Sequence, residues 1–232
     1  MKLVKFLAIL IMMISFAANV QAHVMQFVPV DNVYAPPGYN SNDNVEVVVS
    51  GFLPNLCYRD LEAVPVVEGN KIKIKVQAKD FAGPGIGCAD MIVPFVESVK
   101  IGLLDQGDYD IVVNNMKEAP LYIDEFSDDA IDDEFVANIE SIEKNFDDRQ
   151  IVMKGHNPSD CYVFDRFEVQ DNGRDVYSVK PIMKKVRDFC PMKMVPFELN
   201  FDVPQGLMSD RILIHVRSMY GQSVNSLFNN DV

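Results

Sequence analysis

The sequence predicts an all-β protein of two tandem antiparallel β-sandwiches of the immunoglobulin or fibronectin type, each holding one disulfide. Three observations lead there. A two-cysteine motif occurs twice. Short β-branched runs recur between glycine- and proline-rich turns, with no convincing helix. Four cysteines follow an apolar N-terminal stretch, in a chain with the composition of an ordinary folded protein.

The repeat organises the chain, and self-matches of this kind precede any local reading. Gly51-Phe52-Leu53-Pro54-Asn55-Leu56-Cys57-Tyr58 is followed, 31 residues after its cysteine, by Cys88 and then Val93-Pro94-Phe95. Gly155-His156-Asn157-Pro158-Ser159-Asp160-Cys161-Tyr162 is followed, after 29 residues, by Cys190 and Val195-Pro196-Phe197. Four cysteines permit three pairings. The repeat selects one bridge per copy, Cys57–Cys88 and Cys161–Cys190. Each closes a loop that is worth about 3.5 kcal/mol in the chain-entropy account. Zinc is the competing use, and neither C-x2-C nor H-x3-H spacing is present.

The N-terminus reads as a secretory signal over residues 1–22: basic Met1 to Lys5, an apolar run from Phe6 to Ala18, and a small-residue site ending at Ala22. The run is short for a membrane span, which takes about 20 residues. Cleavage there leaves 210 residues beginning at His23, room for two domains. The expected boundaries are a first sandwich over 23–123, an acidic linker over 124–134, a second sandwich over 135–228 and a loose tail at 229–232.

Within each copy the elements follow in parallel. Ile131, Phe135, Ile139, Ile142 and Phe146 alone suggest an amphipathic helix capped by Ser127. The matching region of the first copy contains Pro29, Pro36 and Pro37, which a helix does not tolerate. Both regions are therefore read as bent first strands, with room for a helical turn at 128–133. Val45 to Val49 and Gln150 to Met153 are β-branched runs ended by glycine. Strands at 58–67 and 162–170 lead into turns at Glu68-Gly69-Asn70 and Asp171-Asn172-Gly173. Lys71 to Val76 alternates, with Ile72, Ile74 and Val76 on one side and lysines on the other, and Asp175 to Val179 is its counterpart. Residues 96–101 and 198–203 alternate again. Tyr109, Ile111 and Val113 match Ile212, Ile214 and Val216, and the last strands lie near Leu121–Ile123 and Val224–Phe228.

The G-x-L-P-x-x-C run, the later C-x5-P-F and the run from Gly107 and Tyr109 to Val113-Asn114 resemble a small domain of exported bacterial proteins and lipoproteins. The resemblance covers most of residues 27–123 and fits the second copy less closely, where His156-Asn157 replaces Phe52-Leu53. It implies an immunoglobulin-like sandwich and an exported location, and it carries no assigned activity.

The charge is −13, and loss of Lys2 and Lys5 with the signal takes it to −15. Such a surface repels nucleic acid and anionic lipid. No G-x-S-x-G, H-E-x-x-H or phosphate loop is present, and with three histidines and bridged cysteines no nucleophilic triad is in view. A non-enzymatic binding or adaptor protein of the periplasm or extracellular space is expected, recognising an unidentified protein or envelope ligand through the loops at 34–44, 81–87 and 184–188. The alternative is metal handling. A freed His23 amine and imidazole suit copper, with Met25 a conceivable soft ligand, and Met192 and Met194 could hold copper(I). The acidic joint, with Asp128, Asp129, Asp132 and Asp133, could hold calcium, and Asn40 to Asn44 is a weaker cluster of the same kind.

Overall fold

The computed structural model describes residues 24–126, 131–132, 134–145 and 149–230. The first sandwich is built from β1 (Val24–Phe27), β2 (Val30–Tyr34), β3 (Tyr39–Asn40), β4 (Val45–Leu53), β5 (Tyr58–Glu68), β6 (Lys71–Asp80), β7 (Val93–Gly102), β8 (Gly107–Val113) and β9 (Lys117–Asp124). The second holds β10 (Ile139–Asn145), β11 (Gln150–Asn157), β12 (Tyr162–Asp171), β13 (Val176–Lys185), β14 (Val195–Asp202), β15 (Arg211–Ser218) and β16 (Gln222–Asn229). A 3-10 turn at Met219–Gly221 separates the last two strands, and no described helix is long and apolar enough to cross a membrane.

Each sandwich has a three-stranded sheet facing a larger one. In the first, β2-β4-β7 packs on the sheet carrying β5, β6, β8 and β9. In the second, β10-β11-β14 packs on β12-β13-β15-β16. The alternation in β6 does what its pattern predicts: Ile72, Ile74 and Val76 are buried against Val45, Val47 and Val49. Ile151 and Met153 meet Val179, Ile212, Ile214 and Val216 in the second core. The helix that Ile131 to Phe146 could suggest does not form: Ile139–Asn145 is strand β10, paired with β11. Phe146, Ser127 and most of the proposed turn at 128–133 lie outside the described residues.

Antiparallel pairing holds on most ladders and is corrected on three. β6 pairs parallel with β8, β13 parallel with β15, and the short β3 parallel with β9. After β6 the chain crosses into the opposite sheet as β7 and returns as β8. Two reversals restore its direction, so β8 lies beside β6 running the same way. β14 makes the same excursion between β13 and β15.

The two-cysteine motif has one geometry in both sandwiches. Gly51 pairs with Phe95 and Gly155 with Phe197, at the same place in the β4–β7 and β11–β14 ladders. Neither glycine has room for a side chain. A Cβ would lie 2.1 Å from the Pro29 carbonyl oxygen in one and 1.9 Å from that of Asn138 in the other. The disulfides Cys57–Cys88 and Cys161–Cys190 both form, with Cα atoms 5.5 and 5.4 Å apart, within ordinary disulfide geometry. The Tyr109 hydroxyl donates to the Asp105 carbonyl at 3.0 Å, the back-bond of the tyrosine corner in immunoglobulin-like sandwiches. Asn114, at φ 50°, plugs the point where β1 and β8 share one flank of β6. Its side chain accepts from the Val76 amide and donates to the Val28 and Val76 carbonyls.

The sandwiches stack sheet on sheet. β4 is buried on both faces: Val45, Val47 and Val49 enter their own core, while Glu46, Val48 and Ser50 face the second sandwich. β15 mirrors it, with Ile212, Ile214 and Val216 inward and Leu213, His215 and Arg217 toward the first. Tyr34, Val48, Val176, Leu213 and Leu227 form the apolar centre of this joint. The start of β4 meets the end of β15, through Asp43 and Arg217. The end of β4, leading to Cys57, lies near Arg211 and Asn229 at the end of the second sandwich remote from Cys161. The two disulfides thus sit at opposite poles.

Two sequence expectations are corrected by this packing. The 34–44 segment is no free recognition loop: Tyr34, Ala35, Tyr39 and Asp43 are buried in the joint. The tail at 229–232 is not loose at its start, since Asn229 ends β16 and the Asn230 amide donates to the Asp210 carbonyl at 2.8 Å.

Candidate functional site

Charged side chains come together in the buried joint and in an open cleft beside it. In the joint, Arg217 donates to both Asp43 carboxylate oxygens, one at 3.0 Å, and to the Gly38 carbonyl at 3.2 Å. Its guanidinium lies over the Tyr39 ring, 5.1 Å from the centroid. Glu134 bonds Lys180 at 2.5 Å and approaches Arg217 at 3.7 Å. The Asn225 side-chain amine donates to Glu46 at 2.6 Å and to Ser98 at 2.9 Å, so its oxygen faces His215 Nδ1 at 2.8 Å. That assigns the proton to Nδ1 and leaves Nε2 to accept from the Tyr39 hydroxyl at 2.9 Å. The chain Glu46–Asn225–His215–Tyr39 ties both sandwiches together with every member satisfied.

Burial, opposed by the Glu46 carboxylate and reinforced by Arg217, holds His215 below its ordinary imidazole value of 6.5. Burial likewise pushes the Tyr39 phenol up. The folded state therefore binds fewer protons at His215 than the unfolded chain below pH 6.5, and stability falls as pH drops through that value. Urea midpoints at about pH 7.5 and about pH 5.5 test this. The wild type is expected to lose stability between them, and His215→Gln to lose less.

The cleft lies at the other end of the joint. It has a volume of about 590 Å³ and is walled by Phe52, Ile92, Phe95 and Leu227, with Lys144 and Arg211 at its edge and Asp31 and Ser50 beside them. β10 carries Lys144, whose ammonium donates to the Leu227 carbonyl, and β15 begins with Arg211. Burial first, and then the charge of Arg211, lower the Lys144 pKa. Among the described residues neither cation has a carboxylate within ion-pair distance. A second cleft, of about 480 Å³, carries Asp108, Asp110 and Asp124 around Pro37, Pro120 and Tyr122. Its acidic rim has the sign of the whole surface and singles out no ligand.

The expected metal residues do not converge among the described residues. His23, Asp128, Asp129 and Asp133 lie outside them. Asp132 is occupied, accepting from the Asn44 amide at 3.1 Å and its side chain at 2.6 Å. Within the Asn40–Asn44 cluster, Asp43 is committed to Arg217. No group of three or more His, Cys, Asp or Glu is placed for a metal ion among the described residues. His156, where the copies differ, is half-buried and bonds Glu140 at 3.0 Å, far in role from buried His215. Sequence reading missed Lys144, Arg211 and Arg217, and took Asp43 only as part of the Asn40–Asn44 cluster. The available signal was a charge inside an apolar strand: Glu46 in Val45–Val49, and His215 and Arg217 in the run from Ile212 to Ser218.

The family model described as the ORF11 beta-sandwich domain matches residues 47–123. Two curated proteins of Herpetosiphon aurantiacus, an uncharacterized 10.2 kDa protein in the HgiBIM 5' region and its counterpart in the HgiEIM 5' region, are each 38% identical over 79 residues. The match takes in 32% of this chain and 90% of each relative. No solved structure matches. The matched stretch runs from β4 through β9 and contains the Cys57–Cys88 bridge and the tyrosine corner. Through this stretch the chain belongs to the ORF11 beta-sandwich domain family.

Proposed function

We propose that the chain is an exported, non-enzymatic binding or adaptor module, built by duplication of one sandwich, that takes an apolar anion in the cleft between its two halves. The equivalent Gly–Phe registers, twin disulfides and twin crossed-over carbonyls support the duplication. Two disulfides and the signal-like leader support export to an oxidising compartment.

The observation that carries the ligand reading is the pair Lys144 and Arg211. In a chain of net charge −13, two cations stand side by side without a described carboxylate partner, at the mouth of a cleft walled by Phe52 and Phe95. An anionic group relieves their mutual repulsion, and the aromatic wall accepts an apolar body. The test is a thermal-shift series with decanoate, benzoate and acetate. An apolar carboxylate at 100 times its Kd stabilises by about 2.7 kcal/mol, a rise of about 5–10 °C for a chain of this size. Acetate, lacking the apolar body, is expected to do much less. Lys144→Ala/Arg211→Ala is expected to abolish the rise, and no shift with any apolar carboxylate in the wild type sinks the reading.

A further inference from the structure

The segment 184–194, Lys-Lys-Val-Arg-Asp-Phe-Cys-Pro-Met-Lys-Met, reverses the character of the rest of the surface. It holds four cations and one acid in a chain of net charge −13. It also displays large apolar side chains: Phe189 is 84% exposed, Met192 100% and Met194 63%, with Val186 exposed beside them. Lys184 bonds Asp165 and Arg187 bonds Asp160, which leaves Lys185 and Lys193 without an ion pair among the described residues. The segment is pinned at its base. Cys190 is bridged to Cys161, the Val186 amide donates to the Cys161 carbonyl at 2.8 Å, and the Lys193 amide donates to the Pro158 carbonyl at 3.1 Å. Its apolar side chains are held outward on a stapled base.

We propose that this loop docks the protein on an anionic lipid bilayer surface, with Phe189 and Met192 entering the interface and Lys185, Arg187 and Lys193 meeting the headgroup phosphates. Cationic and apolar side chains interleaved on one small surface are what interfacial lipid binding requires. The size favours lipid over a protein partner. The segment is eleven residues long, whereas a stable protein interface takes about 20–30 residues a side. A fluid interface also accepts unbranched methionine without a complementary pocket. The first sandwich sharpens the contrast. Its corresponding segment exposes Ile86, Met91 and Ile92 but holds no cation between Asp80 and Lys100. The net charge of the protein does not forbid docking, because interactions beyond about 8 Å are screened at physiological salt and the local cations lie nearest the lipid. This inference is independent of the cleft, whose end of the molecule lies at the opposite pole from Cys161.

The chain contains no tryptophan, so Phe189→Trp places a single reporter at the tip. Its emission is expected to shift to the blue with vesicles of equal parts phosphatidylglycerol and phosphatidylcholine, and to stay in place with phosphatidylcholine alone. In co-sedimentation of the full chain with the mixed vesicles, Lys185→Glu/Lys193→Glu is expected to weaken partition by at least about 25-fold, at about fivefold for each basic residue lost. Phe189→Ser/Met192→Ser is also expected to weaken it. All variants share the N-terminal apolar segment, so the differences between them read the loop. An unmoved emission with the anionic vesicles, or equal partition by the charge-reversed variant, overturns the proposal. So does a blue shift given by polyglutamate and not by the vesicles, which would assign the loop to an acidic protein.

Discussion

Replacing Arg217 with alanine is expected to cost about 3–5 kcal/mol, the range for breaking a buried ion pair by removing one partner. The loss comes less from the attraction forfeited than from what is left behind. Asp43 has no exposed surface, and both its carboxylate oxygens accept from Arg217. With the guanidinium gone, the buried carboxylate keeps the Asn40 amide as a donor at 2.9 Å and loses its cation. Single domains have total stabilities of about 5–15 kcal/mol, so the loss is large enough to uncouple the two halves. Urea denaturation followed by circular dichroism is expected to change from one transition to two. Arg217→Lys keeps the charge and loses the two-pronged geometry, and is expected to fall between. Asp43→Asn/Arg217→Met removes both charges and is expected to recover much of the loss. An Arg217→Ala protein with the wild-type midpoint and a single transition would show that the joint is not held there.

The second large effect lies at the paired glycines. Alanine at Gly155 puts its Cβ 1.9 Å from the Asn138 carbonyl oxygen and 3.0 Å from the Phe197 ring. At Gly51 the corresponding distances are 2.1 Å to Pro29 and 2.8 Å to Phe95. The nearest atom is backbone in each case, and it accepts a hydrogen bond from the next residue, His156 or Phe52. It cannot rotate away as a side chain would. Overpacking of this severity costs about 3 kcal/mol or more. Thermal melts of Gly51→Ala and Gly155→Ala are expected to show large, similar losses. Gly87→Ala is the control, since open space surrounds that position and its φ is not in the left-handed range. A near-neutral Gly155→Ala would refute the steric account.

Most of the strands were legible because their physics is local. Lys71 to Val76 alternates with period two, and Gly69 and Gly173 stand in the left-handed turns their hairpins demand. The bend at Ile139, which mimics a helix in its spacing, was resolved by the prolines of the first copy. The sense of β8 beside β6 was not legible, because it depends on which sheet receives β7, and a strand carries no mark of its destination. The joint was legible only in part. Val45 to Val49 read as a β-branched strand and Ile212, Ile214 and Val216 as an alternating set, although a near-continuous apolar run also fits burial on both faces. Glu46, His215 and Arg217 were the marks of a second covered face. The cleft was hidden for a plainer reason: Lys144 and Arg211 are 67 residues apart, and nothing in either neighbourhood names the other.

The ion pair between Asp43 and Arg217 spans 174 residues, and that span sets an order in time. A chain made from its N-terminus completes the first sandwich, closes Cys57–Cys88 and exhausts its own long-range contacts before β15 exists. Until then Asp43 and Glu46 stay hydrated, and Tyr34 and Val48 line an uncovered face. Docking of the two halves is therefore the closing event of maturation, because domains fold as units during synthesis. A product cut short before Arg211 would keep the first sandwich with an adhesive flank, which makes β15 and β16 the strands on which the solubility of both halves depends.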